Sequence, residues 1–223
     1  MDYTIVSISD RAFHNIEKNK NILSHCNYHN ISFFDGNKND AFEAIFNRNF
    51  TIFWDPADGR KTPPLSSEFG VWMSHILILE YIIKNKIKFM VVLEDDVEIS
   101  KNFVDVVKNA ISEVETFDFI SLYYDDDKDH EPYEVDCQLE LLERPYNQYA
   151  YIQGIVYSLS GAKKILKFFK NNPIKYTVDC CIFDLPRLGI VDAYRIKKDF
   201  EIVKHDTNIP SEIDSTNYRY IIN

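Results

Sequence analysis

The chain has 223 residues, 45% of them hydrophobic and 14% aromatic, and carries a formal net charge of −10. That is enough apolar material for one sizeable core, and a single domain over residues 1–223 is the economical reading. So acidic a chain, without a concentrated basic cluster, argues against a nucleic-acid partner, because tracking a phosphate backbone needs a positive surface.

The opening Met1-Asp2-Tyr3-Thr4-Ile5-Val6 is strand-like and lacks the basic, apolar and small-residue succession of a secretory leader. No uninterrupted apolar run reaches the length of a bilayer. The expectation is a soluble, cytoplasmic protein with no transmembrane segment. Cys26, Cys137, Cys180 and Cys181 have no zinc-type spacing, and neighbours such as the last two seldom pair with each other. All four read as reduced thiols.

Taken in order, Tyr3 to Ser9 is a predicted strand and Ala12 to Cys26 a helix; Ile31 to Phe34 follows as a second strand closed by Asp35-Gly36-Asn37. Ala41 to Asn47 makes a brief helix, and Asp55 to Pro64 a loop. A long helix runs from Ser67 to Asn85, with Phe69, Trp72, Ile76, Leu79 and Ile83 on one buried stripe. Ser100 is the expected N-cap of a helix to Val114. Phe119 to Tyr123 and Tyr151 to Ser158 are further strands, and Ser160 is the expected cap of a helix to Lys170. The run from Asp125 to Pro132 is a solvated loop, since like charges so dense cannot be buried together. Strands alternating with helices mean a mostly parallel sheet covered on both faces.

Between the long helix and Ser100 lies the most telling stretch, Phe89-Met90-Val91-Val92-Leu93-Glu94-Asp95-Asp96-Val97. A short apolar run of this kind is a fully buried parallel strand, and its acids then stand at the carboxyl end, where open α/β sheets bind ligands. Side chains alternate along a strand, so Glu94 and Asp96 project to one side roughly 6.5 Å apart and reach one divalent ion if the chain turns there. Oxygen ligands favour Mg²⁺ or Mn²⁺, and a dication relieves the repulsion among clustered carboxylates. The plainer reading is three solvated acids opening a loop. Ser74 and His75 are a second oddity, polar residues in mid-helix between apolar neighbours. They are either a hydrogen-bonded core pair or groups facing a ligand held between helix and acidic strand.

Together these residues resemble glycosyltransferase family 25, in which a Glu-x-Gly-Cys-x-x-Ser-His helix precedes a strand ending Glu-Asp-Asp. Glu68, Gly70, Ser74 and His75 match the helix and Glu94-Asp95-Asp96 the strand; Trp72 departs from the pattern near the usual cysteine. Weaker similarities reach both ends: Ile5 to Arg11, Phe33-Phe34-Asp35-Gly36, the segment from Gln153 to Ala162, Val178-Asp179, and Ile202-Val203-Lys204-His205 with Ser211.

The resemblance implies an α/β, GT-A-like fold, one Rossmann-related domain that binds a nucleotide sugar through Mn²⁺ or Mg²⁺. It implies transfer of a hexose, galactose or glucose, from a UDP-sugar to a hydroxyl of a glycan or protein, with inversion. On this reading Ser9, Arg11, Asp35, Ser74, His75, Glu94 and Asp95 contact the donor, and Glu94, Asp96 and His205 hold the metal. Asp179 takes the acceptor's proton, while Gln153 and Gly154 receive the acceptor; the expected cytoplasmic protein is peripheral to a membrane if the acceptor is membrane-borne. Two alternatives stay open: a nucleotide-sugar or glycan-binding protein that has lost turnover, and a UDP-sugar hydrolase. Neither the sugar, the acceptor, the linkage nor the oligomeric state is written in the sequence.

Overall fold

The computed structural model describes residues 1–7, 13–31, 38–53, 66–123, 139, 142–143 and 152–206. Its strands are β1 (Asp2–Val6), β2 (Asn27–Tyr28), β3 (Phe89–Glu94), β4 (Val97–Ile99), β5 (Phe119–Ser121), β6 (Leu142–Glu143), β7 (Gly154–Ser158), β8 (Ala193–Ile196) and β9 (Val203–His205). The helices are α1 (Phe13–Ile22), α2 (Lys38–Phe46), α3 (Ser66–Asn85), α4 (Phe103–Ser112), α5 (Leu159–Asn171) and α6 (Val178–Arg187).

Among the described residues these build a seven-stranded sheet in the order β2-β1-β3-β7-β5-β8-β6, and β4 pairs with β9 in a separate ribbon. Strands β1, β2, β3, β5 and β8 run one way, while β7 and β6 run against them. The result is the expected α/β, mostly parallel sheet flanked by helices, compatible with one Rossmann-like domain. Residues of β3 alternate between its two sides as the pleat requires. Met90 and Val92 join the core beneath α2, α3, α5 and α6; Val91 and Leu93 join the one beneath α1 and α4. Both faces are dry, which is why the strand reads as an unbroken apolar run. Along α3, Met73, Ile76 and Leu79 are at most 1% exposed, each burial removing roughly 1.5–3 kcal/mol of unfavourable hydration.

Several local expectations shift. Helix α1 ends at Ile22 rather than Cys26, so the chain re-enters the sheet sooner and Asn27–Tyr28, instead of Ile31 to Phe34, pairs with β1; residues 32–34 lie outside the described residues. Ser100 does not cap α4: its hydroxyl donates to Asn102 Oδ1 at 2.6 Å, and Asn102 occupies the cap position without a side-chain bond to the helix. Ser158, not Ser160, caps α5 by accepting from the Gly161 N–H at 3.0 Å.

The amino edge of the sheet is closed by Asp118, 1% exposed. Its carboxylate accepts from Ser160 Oγ at 2.7 Å, from Asp192 N at 2.8 Å and from Lys164 Nζ at 2.5 Å, and its carbonyl accepts from Ser158 N at 3.0 Å. Gly161 lies so close that a Cβ built there would stand 2.0 Å from the Asp118 carbonyl oxygen. This knot ties α5 to the start of β5, and it leaves the opposite, carboxyl edge for chemistry.

Candidate functional site

At that carboxyl edge β1 and β3 end side by side, with Val6 opposite Glu94. Strand β3 stops at Glu94 because Asp95 and Asp96 form a turn into β4. Ser7, the residue after β1, donates its hydroxyl to Asp95 Oδ2 at 2.8 Å. The Asp96 carbonyl accepts from Asp206 N at 2.8 Å, and β4 aligns antiparallel to β9 with Val97 opposite His205. That register sets His205 Nε2 3.4 Å from Asp96 Oδ2. Asp95 and Asp96 are only 4% and 6% exposed, so the corner is a buried acidic turn rather than a solvated loop opening.

Gly154 permits the ribbon to sit there. A Cβ on it would lie 3.1 Å from Val203 Cγ2 and 3.3 Å from Leu122 Cβ, so a side chain there would crowd the Val203 and Leu122 side chains between ribbon and sheet. Its neighbour Gln153 accepts from Glu94 N at 3.0 Å through its carbonyl. Gln153 is 8% exposed, and its Oε1 has no hydrogen-bond partner among the described residues. A buried carboxamide oxygen in that state is what a ligand or an ordered water would satisfy.

Ser74 and His75 lie deeper. Ser74 donates to the Gly70 carbonyl one turn back at 2.9 Å. His75 Nδ1 bonds the Tyr157 hydroxyl at 3.0 Å, and Nε2 is buried without a hydrogen-bond partner among the described residues. Tyr157 pairs with Met90, four residues before Glu94, which puts this pair roughly 13 Å back along β3 from the acidic turn. Burial lowers the His75 pKa to about 3, so the ring is neutral at physiological pH. Burial first, and the Glu94 charge second, push the Tyr157 phenol well above its ordinary value. Nδ1 has the contact of a hydrogen-bonded core histidine, whereas Nε2 has none among the described residues.

Asp179 sits in the first turn of α6, where its Oδ1 accepts from its own Cys180 N–H at 2.9 Å. Thr177 occupies the cap position of that helix. Helix α5 leaves the amino edge and α6 returns to it, so the loop between them, and with it Asp179, lies toward the carboxyl edge. A bond from Trp72 Nε1 to the Tyr176 carbonyl at 2.9 Å pins that loop to the early part of α3. Thr177, 8% exposed, holds another buried oxygen without a partner among the described residues.

The fold therefore gathers Glu94, Asp95, Asp96, His205, Gln153 and Gly154 at one corner and brings Asp179 to the same edge from the other layer. Ser9, Arg11 and Asp35 lie outside the described residues. Sequence reading passed over Ser7 and Tyr157. Ser7 acquires meaning only from the β1–β3 register, and Tyr157 only from the strand facing His75. Among the described residues no group of three His, Cys, Asp or Glu side chains is arranged to hold a metal. At the carboxyl edge Asp96 and His205 form a carboxylate–imidazole pair. No described helix is long and apolar enough to cross a membrane.

Comparison with known proteins gives the following. The family model described as glycosyltransferase family 25 (LPS biosynthesis protein) matches residues 9–182, well over half of the chain. A curated protein of Haemophilus influenzae, whose name assigns it provisionally to the glycosyltransferases, is 23% identical over 175 residues. The match takes in 75% of this chain but 59% of that relative's length.

Proposed function

Given that the chain belongs to glycosyltransferase family 25, we propose that it moves a hexose, galactose or glucose, from a UDP-sugar to a hydroxyl on a glycan or protein, with a divalent metal and with inversion. The observation that carries this reading is the buried acidic turn at the carboxyl edge of the sheet, with His205 Nε2 3.4 Å from Asp96 Oδ2. The hard carboxylate of Asp96, in the turn, suits Mn²⁺ or Mg²⁺, and the borderline imidazole of His205, on β9, favours Mn²⁺ of the two. Such ions are held in phosphate sites by one or two carboxylates, the substrate's own oxygens filling most of the shell, so three convergent side chains are not required. Glu94, at the end of β3, stands in reserve as a further oxygen ligand. Once bound, the ion offsets the negative charge that grows on a departing diphosphate.

The remaining steps fall to side chains of the chain itself. Ser7 holds Asp95 at 2.8 Å and so fixes the turn on which Asp96 rides. Asp179, approaching the edge from α6, takes the proton of the acceptor hydroxyl as its oxygen attacks the anomeric carbon from the face opposite the diphosphate. The buried, unpartnered Gln153 Oε1 supports an acceptor hydroxyl beside Gly154, because a donor hydroxyl is what that oxygen lacks among the described residues.

The test is to incubate the protein with Mn²⁺ and a panel of UDP-sugars and to follow UDP release with and without candidate glycan acceptors. Release that needs an acceptor supports transfer. Equal release without one makes the protein a hydrolase, and donor binding without release makes it a binding module.

A further inference from the structure

The corner's geometry depends on β4, a strand of three residues, and so short a strand cannot hold its own position. One of its edges is laddered to β9. On the other side stands Asn19 of α1, fully buried at 0% exposure. Its Nδ2 donates to the Val97 carbonyl at 2.7 Å, and its Oδ1 accepts from the Ile99 N–H at 3.4 Å. One carboxamide thus meets a carbonyl and an N–H two residues apart on one strand edge, which is the pattern a peptide unit of a neighbouring strand would present. An asparagine in mid-helix is unfavourable for the helix itself and costly to bury unless both its polar atoms are satisfied. Here both are, and by one target. Helix α1 is itself anchored, since Ile16, Ile22 and the adjoining Leu23 pack into the core beneath β3 and α4. The half-exposed contact of Lys18 with Glu98 at 2.5 Å adds little, being screened by solvent.

We propose that Asn19 is a positioning residue for the acidic corner: its carboxamide serves as a third strand on β4 and so holds Asp96 opposite His205. Asp96 directly precedes Val97 on the strand that Asn19 grips, and His205 faces Val97 across the ribbon, on the strand laddered to it. The proposal rests on reading that corner as the donor site.

Two variants test it. Asn19→Ala removes both bonds; Asn19→Asp keeps the volume and the acceptor for Ile99 N but turns a carboxylate toward the Val97 carbonyl. Each is compared with wild type in Mn²⁺ and UDP binding by calorimetry, in amide hydrogen exchange at residues 97–99 and 203–205, and in thermal unfolding. Ser160→Ala, which weakens only the Asp118 knot at the far edge, is the control for general destabilisation. Both Asn19 variants are expected to weaken Mn²⁺–UDP binding by about 10–100-fold, the range found when groups that orient metal ligands are lost. Exchange in the two short strands rises at least about tenfold while that of β1 and β3 stays near wild type. If Asn19→Ala fails to fold, Asn19→Asp decides alone. Wild-type affinity in the variants, or a loss no larger than Ser160→Ala shows at equal thermal destabilisation, overturns the proposal. A wild-type protein that binds no Mn²⁺–UDP overturns the donor-site reading and this proposal together.

Discussion

Replacing Gly161 by alanine sets two physical effects of opposite sign against each other. Helix propensity alone favours alanine in α5 by about 1 kcal/mol. The new Cβ, however, would lie 2.0 Å from the Asp118 carbonyl oxygen, 2.6 Å from its carbon and 2.8 Å from its Cα, all of them backbone atoms that no rotamer change can move aside. Relief requires α5 and the start of β5 to separate by about 1 Å, with an overpacking cost of about 1–3 kcal/mol. That separation also stretches the bonds from Ser160 at 2.7 Å and from Ser158 N at 3.0 Å to Asp118, each worth about 1 kcal/mol. After the propensity gain the net loss is about 2–4 kcal/mol. For a chain of this size it appears as a fall in melting temperature of roughly 4–16 °C. Circular dichroism melts of wild type and Gly161→Ala measure it directly. A variant that melts at or above the wild-type temperature would refute the argument, because propensity would then have outweighed the contact.

Asp96→Asn keeps the volume of the turn but removes its charge, so metal-dependent UDP release should fall by about 10²-fold or more with little change in melting temperature. Asp179→Asn should instead lower kcat by about 10²–10⁴-fold while calorimetry finds Mn²⁺–UDP binding unaltered. His75, with its pKa lowered to about 3 from 6.5, binds no proton in the folded chain where the unfolded chain does. Stability is therefore fully present above about pH 6.5 and falls as the pH drops toward 3, by up to about 1.4 kcal/mol per unit. Urea titrations of wild type and His75→Gln across pH 4–7 should show the variant less stable at neutrality but with the shallower slope.

The strand carrying Glu94 was legible as an unbroken apolar run that ends in acids, and the helix carrying His75 by the buried stripe along its twenty residues. The ribbon that aims the corner was not. Val97–Ile99 and Val203–His205 are three residues apiece and recognise each other across a hundred positions, so neither has a periodicity of its own. Asn19 escaped for a related reason: on a helix it is one polar residue among many, and its worth lies wholly in what faces it. The reversed direction of β7 is equally silent, since a strand buried on both faces has the same composition whichever way it runs. The cap of α5 was misplaced by two residues because Ser158 and Ser160 are chemically alike, and only the approach of the Gly161 N–H separates them.

The sheet divides the molecule's apolar interior in two, and the proposed metal pair and the proposed base fall on different sides of the partition. Asp96 and His205 belong with the packing around α1 and α4, whereas Asp179 belongs with α3, α5 and α6. A lineage, or a protein engineer, is thereby free to exchange the loop that leads into α6 for one suited to a different hydroxyl compound while inheriting the donor machinery unchanged.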